Sequence, residues 1–407
     1  MLMPKSTASL IPFRLSGLIL TLIVLGSAAA VPGAAASFGQ PGDKSATFER
    51  VAALAAQARE TGELGEAARR YREAVTLRSD WMEGWWYLGT LLYDLDRFGE
   101  ALEALRVLAS FQRENAVVWA LIGLCEYQER DYERALVNLQ KSRLLGISEN
   151  AQMYPAVRYH AAILLNRFEE FEVAFEALKE FAVENNRSAS VIEAMGISVL
   201  RLPYLPSELP PGKREQVILA GSAGYESASR RQEIADELYQ RLVREFPDQP
   251  NVHYAYGVFL MREEPEKALE YFQKELKIQP RHVPSMLQTA FEYLKRGAYQ
   301  EAQPWAEKSA ELDPTSFPAR HALGRIFLEY GEIERSIAEL EQGIQLAPTS
   351  PELRFVLSRA YARAGRREDA EREREEYLRL DEMFQTQKYG AQAVGGERAS
   401  DQPPPGP

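Results

Sequence analysis

Four histidines, His160, His253, His282 and His321, and a single cysteine, Cys125, are the residues of this chain best suited to hold a metal or to attack a substrate. Neither chemistry finds its spacing. A zinc site draws its ligands from short, regular intervals, whereas no two of these five groups lie within a helical turn of each other, and no H-E-x-x-H occurs. The G-x-x-x-x-G-K-[ST] loop that cradles phosphates and the G-x-S-x-G turn that presents a nucleophilic serine are also missing from the sequence. Carboxylates crowd EREREEYLRLDE, residues 371–382, but at helical spacing they pair with arginines on a solvated face rather than converge. Asn186-Arg187-Ser188 fits a glycosylation acceptor, a three-residue pattern that chance supplies readily. Cys125, between Leu124 and Glu126, reads as a small core residue and has no partner for a disulfide within the chain. A non-enzymatic protein without metal or cofactor is expected.

Bulk charge narrows the partners. Acidic residues outnumber basic ones, 59 against 48, for a formal charge of -11, so a nucleic acid would be repelled on average and no basic run with aromatics compensates. Protein or extended peptide is the expected partner class. At the N-terminus Lys5 and Arg14 precede LSGLILTLIVLGSAAA, the charged, apolar, small-residue order of a secretory signal peptide. Cleavage is expected after Ala30 or Ala36; the competing reading is an uncleaved anchor, the only contact with a membrane that the sequence suggests. Periplasmic or secreted localisation follows from either cleavage site.

The elements that must position any binding residue show themselves as repetition. EGWWYLGTLLYDLDRFGEALEAL, residues 83–105, is answered by VVWALIGLCEYQERDYERALVNL, residues 117–139, with Trp85, Gly89 and Ala101 each matched 34 residues later. Trp85, Leu88, Gly89 and Leu92 fall on one face of a first helix, and Ala101, Leu105 and Leu108 on one face of a second, with a turn near residues 96–99. Gly89 and Ala101 are small where the two helices approach, and Trp85 is assigned to the core. This W-x-x-L-G-x-x-L then A-x-x-x-L-x-x-L pattern resembles the tetratricopeptide repeat (TPR) family, over most of residues 48–384. The resemblance implies an all-α fold of tandem helix-turn-helix units wound into a right-handed superhelical solenoid. In the expected division, residues 1–36 are the signal peptide, 48–185 a first repeat block, 186–215 an extra helix and proline-rich joint, 216–384 a second block and 385–407 a disordered tail. The fourth unit departs from the pattern by placing Phe171 where a small residue is usual, and four prolines in residues 203–211 exclude a continuous helix there.

In the resemblance, the first-helix face turned away from the packing seam lines a concave groove. Here that face carries Trp86, Tyr93, Leu124, Tyr127, Tyr254, Met261, Leu287 and Phe291, then turns polar and basic with His321, Arg325, Arg359 and Arg363. Aromatic rings bury much area with few rotors, and arginines complement carboxylates, so Trp86, Tyr93, Tyr127, Tyr254, Phe291, Arg325, Arg359 and Arg363 are the expected partner-binding set. Lateral burial by neighbouring first helices is the competing reading of the aromatic ones. Members of the family that grip acidic tails use Lys and Asn at places held here by Ala52 and Ala56, so that activity is not expected. The resemblance points to an exported scaffold in envelope complex assembly, with a carbohydrate-handling role in an envelope polysaccharide secretion system as the alternative.

Overall fold

The computed structural model describes residues 42–396, with side chains described for 45–383. The signal segment, residues 1–36, and the end of the tail, residues 397–407, lie outside the described residues. Nineteen α-helices and no strand occur among the described residues, and the chain divides into two compact units, residues 1–235 and 236–407. In the first unit α1 (Gly42–Glu60) packs on α2 (Leu64–Leu77), α3 (Met82–Asp94) on α4 (Phe98–Phe111) and α5 (Ala116–Gln128) on α6 (Tyr132–Leu144). There follow α7 (Tyr154–Arg167) on α8 (Phe171–Val183) and α9 (Ala189–Val199) on α10 (Arg214–Ala228), and the unit boundary falls inside α11 (Gln232–Glu245). In the second unit α12 (Val252–Leu260) packs on α13 (Pro265–Ile278), α14 (Val283–Lys295) on α15 (Tyr299–Leu312), α16 (Phe317–Tyr330) on α17 (Ile333–Leu346) and α18 (Pro351–Arg363) on α19 (Arg367–Gly396).

Most of the hairpins close by one device. Two places before the second helix stands a residue with positive φ: Gly62, Asp96, Arg130 and Glu169 in the first unit, Gly297, Gly331 and Gly365 in the second. The left-handed residue turns the chain back, and the next N–H reaches the carbonyl five residues earlier, as in Arg97 to Leu92 and Glu332 to Phe327, both 2.9 Å. Carbonyls that the helix end would orphan are thereby satisfied. Three residues into the second helix a small side chain recurs, at Ala67, Ala101, Ala135, Ala174, Ala302 and Ser336, each with 0% exposure. On the facing helix, a Cβ at Gly89 would stand 2.8 Å from Cγ of Leu105, so glycine there admits the leucine of the second helix.

Several expectations are corrected by these positions. Phe171 is the first residue of α8, and the small place belongs to Ala174. The step from Ala135 to Ala174 is 39 residues rather than 34, because a 3-10 turn, Ile147–Glu149, lengthens the connection between α6 and α7. Trp85 is half-buried rather than part of the core, its indole N–H donating to the Ser79 carbonyl at 2.8 Å. Trp119 does the same to Arg113 at 2.7 Å, the ring nitrogen Nε2 of His253 lies 2.8 Å from the Pro247 carbonyl, and Arg354 donates to Pro348 at 3.2 Å. A side-chain nitrogen at this place ties these four first helices to the loops that enter them. Residues 203–211 are not where the chain divides: they link α9 and α10 inside the first unit, with Leu202, Leu205 and Leu209 buried. The tail expected to be disordered from residue 385 continues α19 as helix to Gly396.

Candidate functional site

The first-helix face expected to bind a partner is used in two ways. Tyr93, Tyr127 and Tyr254 are 8%, 7% and 6% exposed, too enclosed to anchor a partner. Their rings pack on neighbours: Tyr93 against Phe98 with centroids 5.4 Å apart, Tyr127 edge-on to His160 at 4.9 Å, Tyr254 edge-on to His282 at 5.0 Å. Burial pushes the Tyr93 hydroxyl well above its ordinary pKa and that of Tyr127 up to about 12, the latter helped by the nearby Tyr132 and the Glu208 charge. The Tyr254 N–H, together with that of Asn251, donates to the carboxylate of Glu275, a fully buried residue of α13 that reaches the start of α12. Helical periodicity points these tyrosines away from the seam of their own hairpin, but Phe98 at the start of α4, His160 on α7 and His282 at the entry to α14 pack on them. Trp86 differs, being half-buried against the edge of the first unit's core.

In the second unit the polar end of the face forms a groove. Its volume is about 380 Å³, and His321 and Arg325 on α16, Phe355 and Arg359 on α18, and Tyr377 and Asp381 on α19 line it. Phe355 is 46% exposed and its ring sits 5.3 Å from that of Tyr377. Phe291 reaches the same region only through its ring contact with His321, at 5.8 Å. Burial, then the charge of Arg325, lowers His321 to about pKa 4, so it is neutral at physiological pH.

The three predicted arginines are not equivalent. Arg363 donates to the Leu328 carbonyl near the end of α16 and lies 3.7 Å from Glu329, which assigns it to holding α16 and α18 together. Arg359 lies 3.3 Å from the same carboxylate and stays exposed. Arg325 is half-buried in the groove and makes no ion pair or hydrogen bond among the described residues. A half-buried guanidinium without an ion pair can take an anionic partner, and the rings of Phe355 and Tyr377 in the same groove offer apolar area. Phe355, Tyr377 and Asp381 were not predicted. A 34-residue step from His321 lands on Phe355, just as one from Arg325 lands on Arg359, so the repeat period held the signal for Phe355.

Residues 52–116 and 88–142 match the model of the tetratricopeptide repeat, and residues 218–381 match that of the Cilia and flagella-associated protein 70 middle TPR-like domain. No curated protein matches the chain. Among solved structures, MamA 41-end from Desulfovibrio magneticus RS-1 is similar at 19% identity over 42% of this chain and 96% of that one, with a TM-score of 0.38. A second, described as crystal structure of MamA protein, gives 18% identity, 44% and 96% coverage, and a TM-score of 0.37. Repeats of this kind form protein–protein interaction scaffolds that are typically non-catalytic. With hairpins, turn residues and small positions recurring through both units and the repeat models matching in each, the chain belongs to the tetratricopeptide-repeat family.

Proposed function

We propose that the protein is an exported scaffold that binds a segment of a partner protein in the groove between α16, α18 and α19 and serves the assembly of an envelope complex. The observation that carries the reading is Arg325, a half-buried guanidinium without an anionic partner among the described residues, set beside the rings of Phe355 and Tyr377. A peptide carrying a carboxylate next to an apolar or aromatic side chain satisfies both features at once. Arg359, exposed and partly committed to Glu329, adds long-range attraction more than holding strength. Export rests on the charged, apolar, small-residue order of residues 5–30.

An array of 15-residue peptides, each paired with a copy in which acidic residues are changed to amides, tests the reading. Full-length protein should retain acidic peptides over their amide copies, and Arg325→Ala should erase that preference while leaving helicity unchanged. Equal retention of acidic and amide copies by the wild type would refute the carboxylate-reading role.

A further inference from the structure

Helix α9 ends as the other first helices do. Arg201 takes positive φ, and the Leu202 N–H reaches the Ile197 carbonyl at 3.0 Å. A second helix should start at the next residue, but Pro203 opens the run PYLPSELPPGK instead. Residues 203–213 contain only two single-turn 3-10 helices, Pro206–Glu208 and Pro211–Lys213, and delay the helix that packs along α9, α10, to Arg214. The backbone bonds of this segment are local: Tyr204 to Leu202, Glu208 to Leu205, Lys213 to Pro210.

What seats it is side chains. Leu205 is 1% exposed and belongs to the same apolar core as Tyr127 and Tyr225, and Leu209 is buried beside it in sequence. Between them Glu208 accepts the Leu205 N–H at 3.1 Å and pairs, at 3.2 Å, with Arg167 in the last turn of α7. Two apolar anchors, one ion pair and a backbone stiffened by proline are how a short peptide docks, whereas a second helix would be held along its whole length.

We propose that residues 203–213 are a built-in occupant of a peptide-docking surface on α7 and α9, and that this surface takes proline-punctuated L-P-x-E-L segments from a partner when its own segment leaves. The surface is separate from the groove of the second unit and does not depend on its role. Its recognition elements are the apolar sockets of Leu205 and Leu209 and the guanidinium of Arg167. A partner segment gains access by replacing contacts of the same kind, so the chain's own segment sets a threshold affinity for entry.

The test uses the full-length chain and a fluorescein-labelled peptide with the sequence of residues 203–213. The double variant Leu205→Ser, Glu208→Arg unseats the segment; it should bind the peptide at least about ten times more tightly than wild type, and adding Arg167→Glu should abolish that gain. A folded double variant that binds no better than wild type overturns the proposal. Should the variant fail to fold, hydrogen exchange on the wild type decides: amides of residues 204–209 should exchange at least about ten times faster than those of α9. Protection equal to that of α9 would mean that the segment leaves only when the unit unfolds, and the proposal falls.

Discussion

Replacing Gly89 by alanine should weaken the first unit even though alanine is the better helix former. In a helix interior the change is worth about 1 kcal/mol in favour of alanine. Against it stands the position of the new Cβ, 2.8 Å from both Cγ and Cδ2 of Leu105, a side chain with 0% exposure. Cγ is a branch point rather than a free end, so relief needs the whole leucine, or α4 itself, to shift by about 1 Å; such overpacking costs about 1 to 3 kcal/mol. The expected net effect is a loss of about 1 kcal/mol. Gly65 in α2 is the control, since a Cβ there meets nothing within 4 Å and only the propensity gain, about 0.5 kcal/mol so near a helix start, remains. Urea unfolding followed by circular dichroism, with both variants in the same unit, should move the midpoint down for Gly89→Ala and slightly up for Gly65→Ala. A Gly89→Ala protein as stable as Gly65→Ala would refute the close approach of α3 and α4 from which the register of the binding face was built.

Turn residues should show the opposite preference: Gly331→Ala should cost about 1 kcal/mol, and Arg130→Gly, at an exposed left-handed position, should gain up to about 1 kcal/mol by thermal unfolding. Stability should fall on mild acidification, because His160, His253 and His321 all have folded pKa values below the ordinary 6.5, with His321 at about 4. The unfolded chain then binds more protons in that window, so stabilisation present above about pH 6.5 is lost progressively toward pH 4; urea midpoints at pH 7.5 and 5 should differ, and His321→Gln should narrow the difference. N-terminal sequencing of the native protein should begin at or near Val31 or Ser37, and an intact Met1 in a membrane fraction would replace cleavage by anchoring. Trp86→Ala should cost less urea stability than Trp85→Ala, which loses the bond that pins Ser79 as well as its packing.

The hairpins were legible because one residue type at a fixed interval carries each constraint: a small side chain at Ala101 and Ala135, a leucine that needs Gly89 or Gly123 opposite. Such signals survive in a single sequence. Lateral burial does not, since what packs on Tyr127 is His160 of α7, a neighbouring element whose offset no periodicity states. The three tyrosines that periodicity presents as anchors are walls. The misplacement of Phe171 has a different cause, an insertion around residues 147–149 that shifts the register without changing the look of the helix after it. Arg325 is legible because its charge sits on the expected face, and the period that leads to Arg359 leads equally to Phe355.

A tandem array behaves as a one-dimensional chain of units whose cooperativity is set by the contact each makes with the next. Most of those contacts are side-chain packing and can be tuned by trimming a methyl group. Between α9 and α10 the contact is backbone on backbone: a Cβ at Gly196 would come within 1.9 Å of the Val217 carbonyl oxygen, and one at Gly221 equally close to that of Ile192. Truncating side chains there removes little, while adding a single carbon forces the helices apart. Coupling across this step is thus close to all-or-none, so α9 and α10 should be lost together when the first unit unfolds, and drift at residues 196 and 221 is far more constrained than at the repeat positions around them.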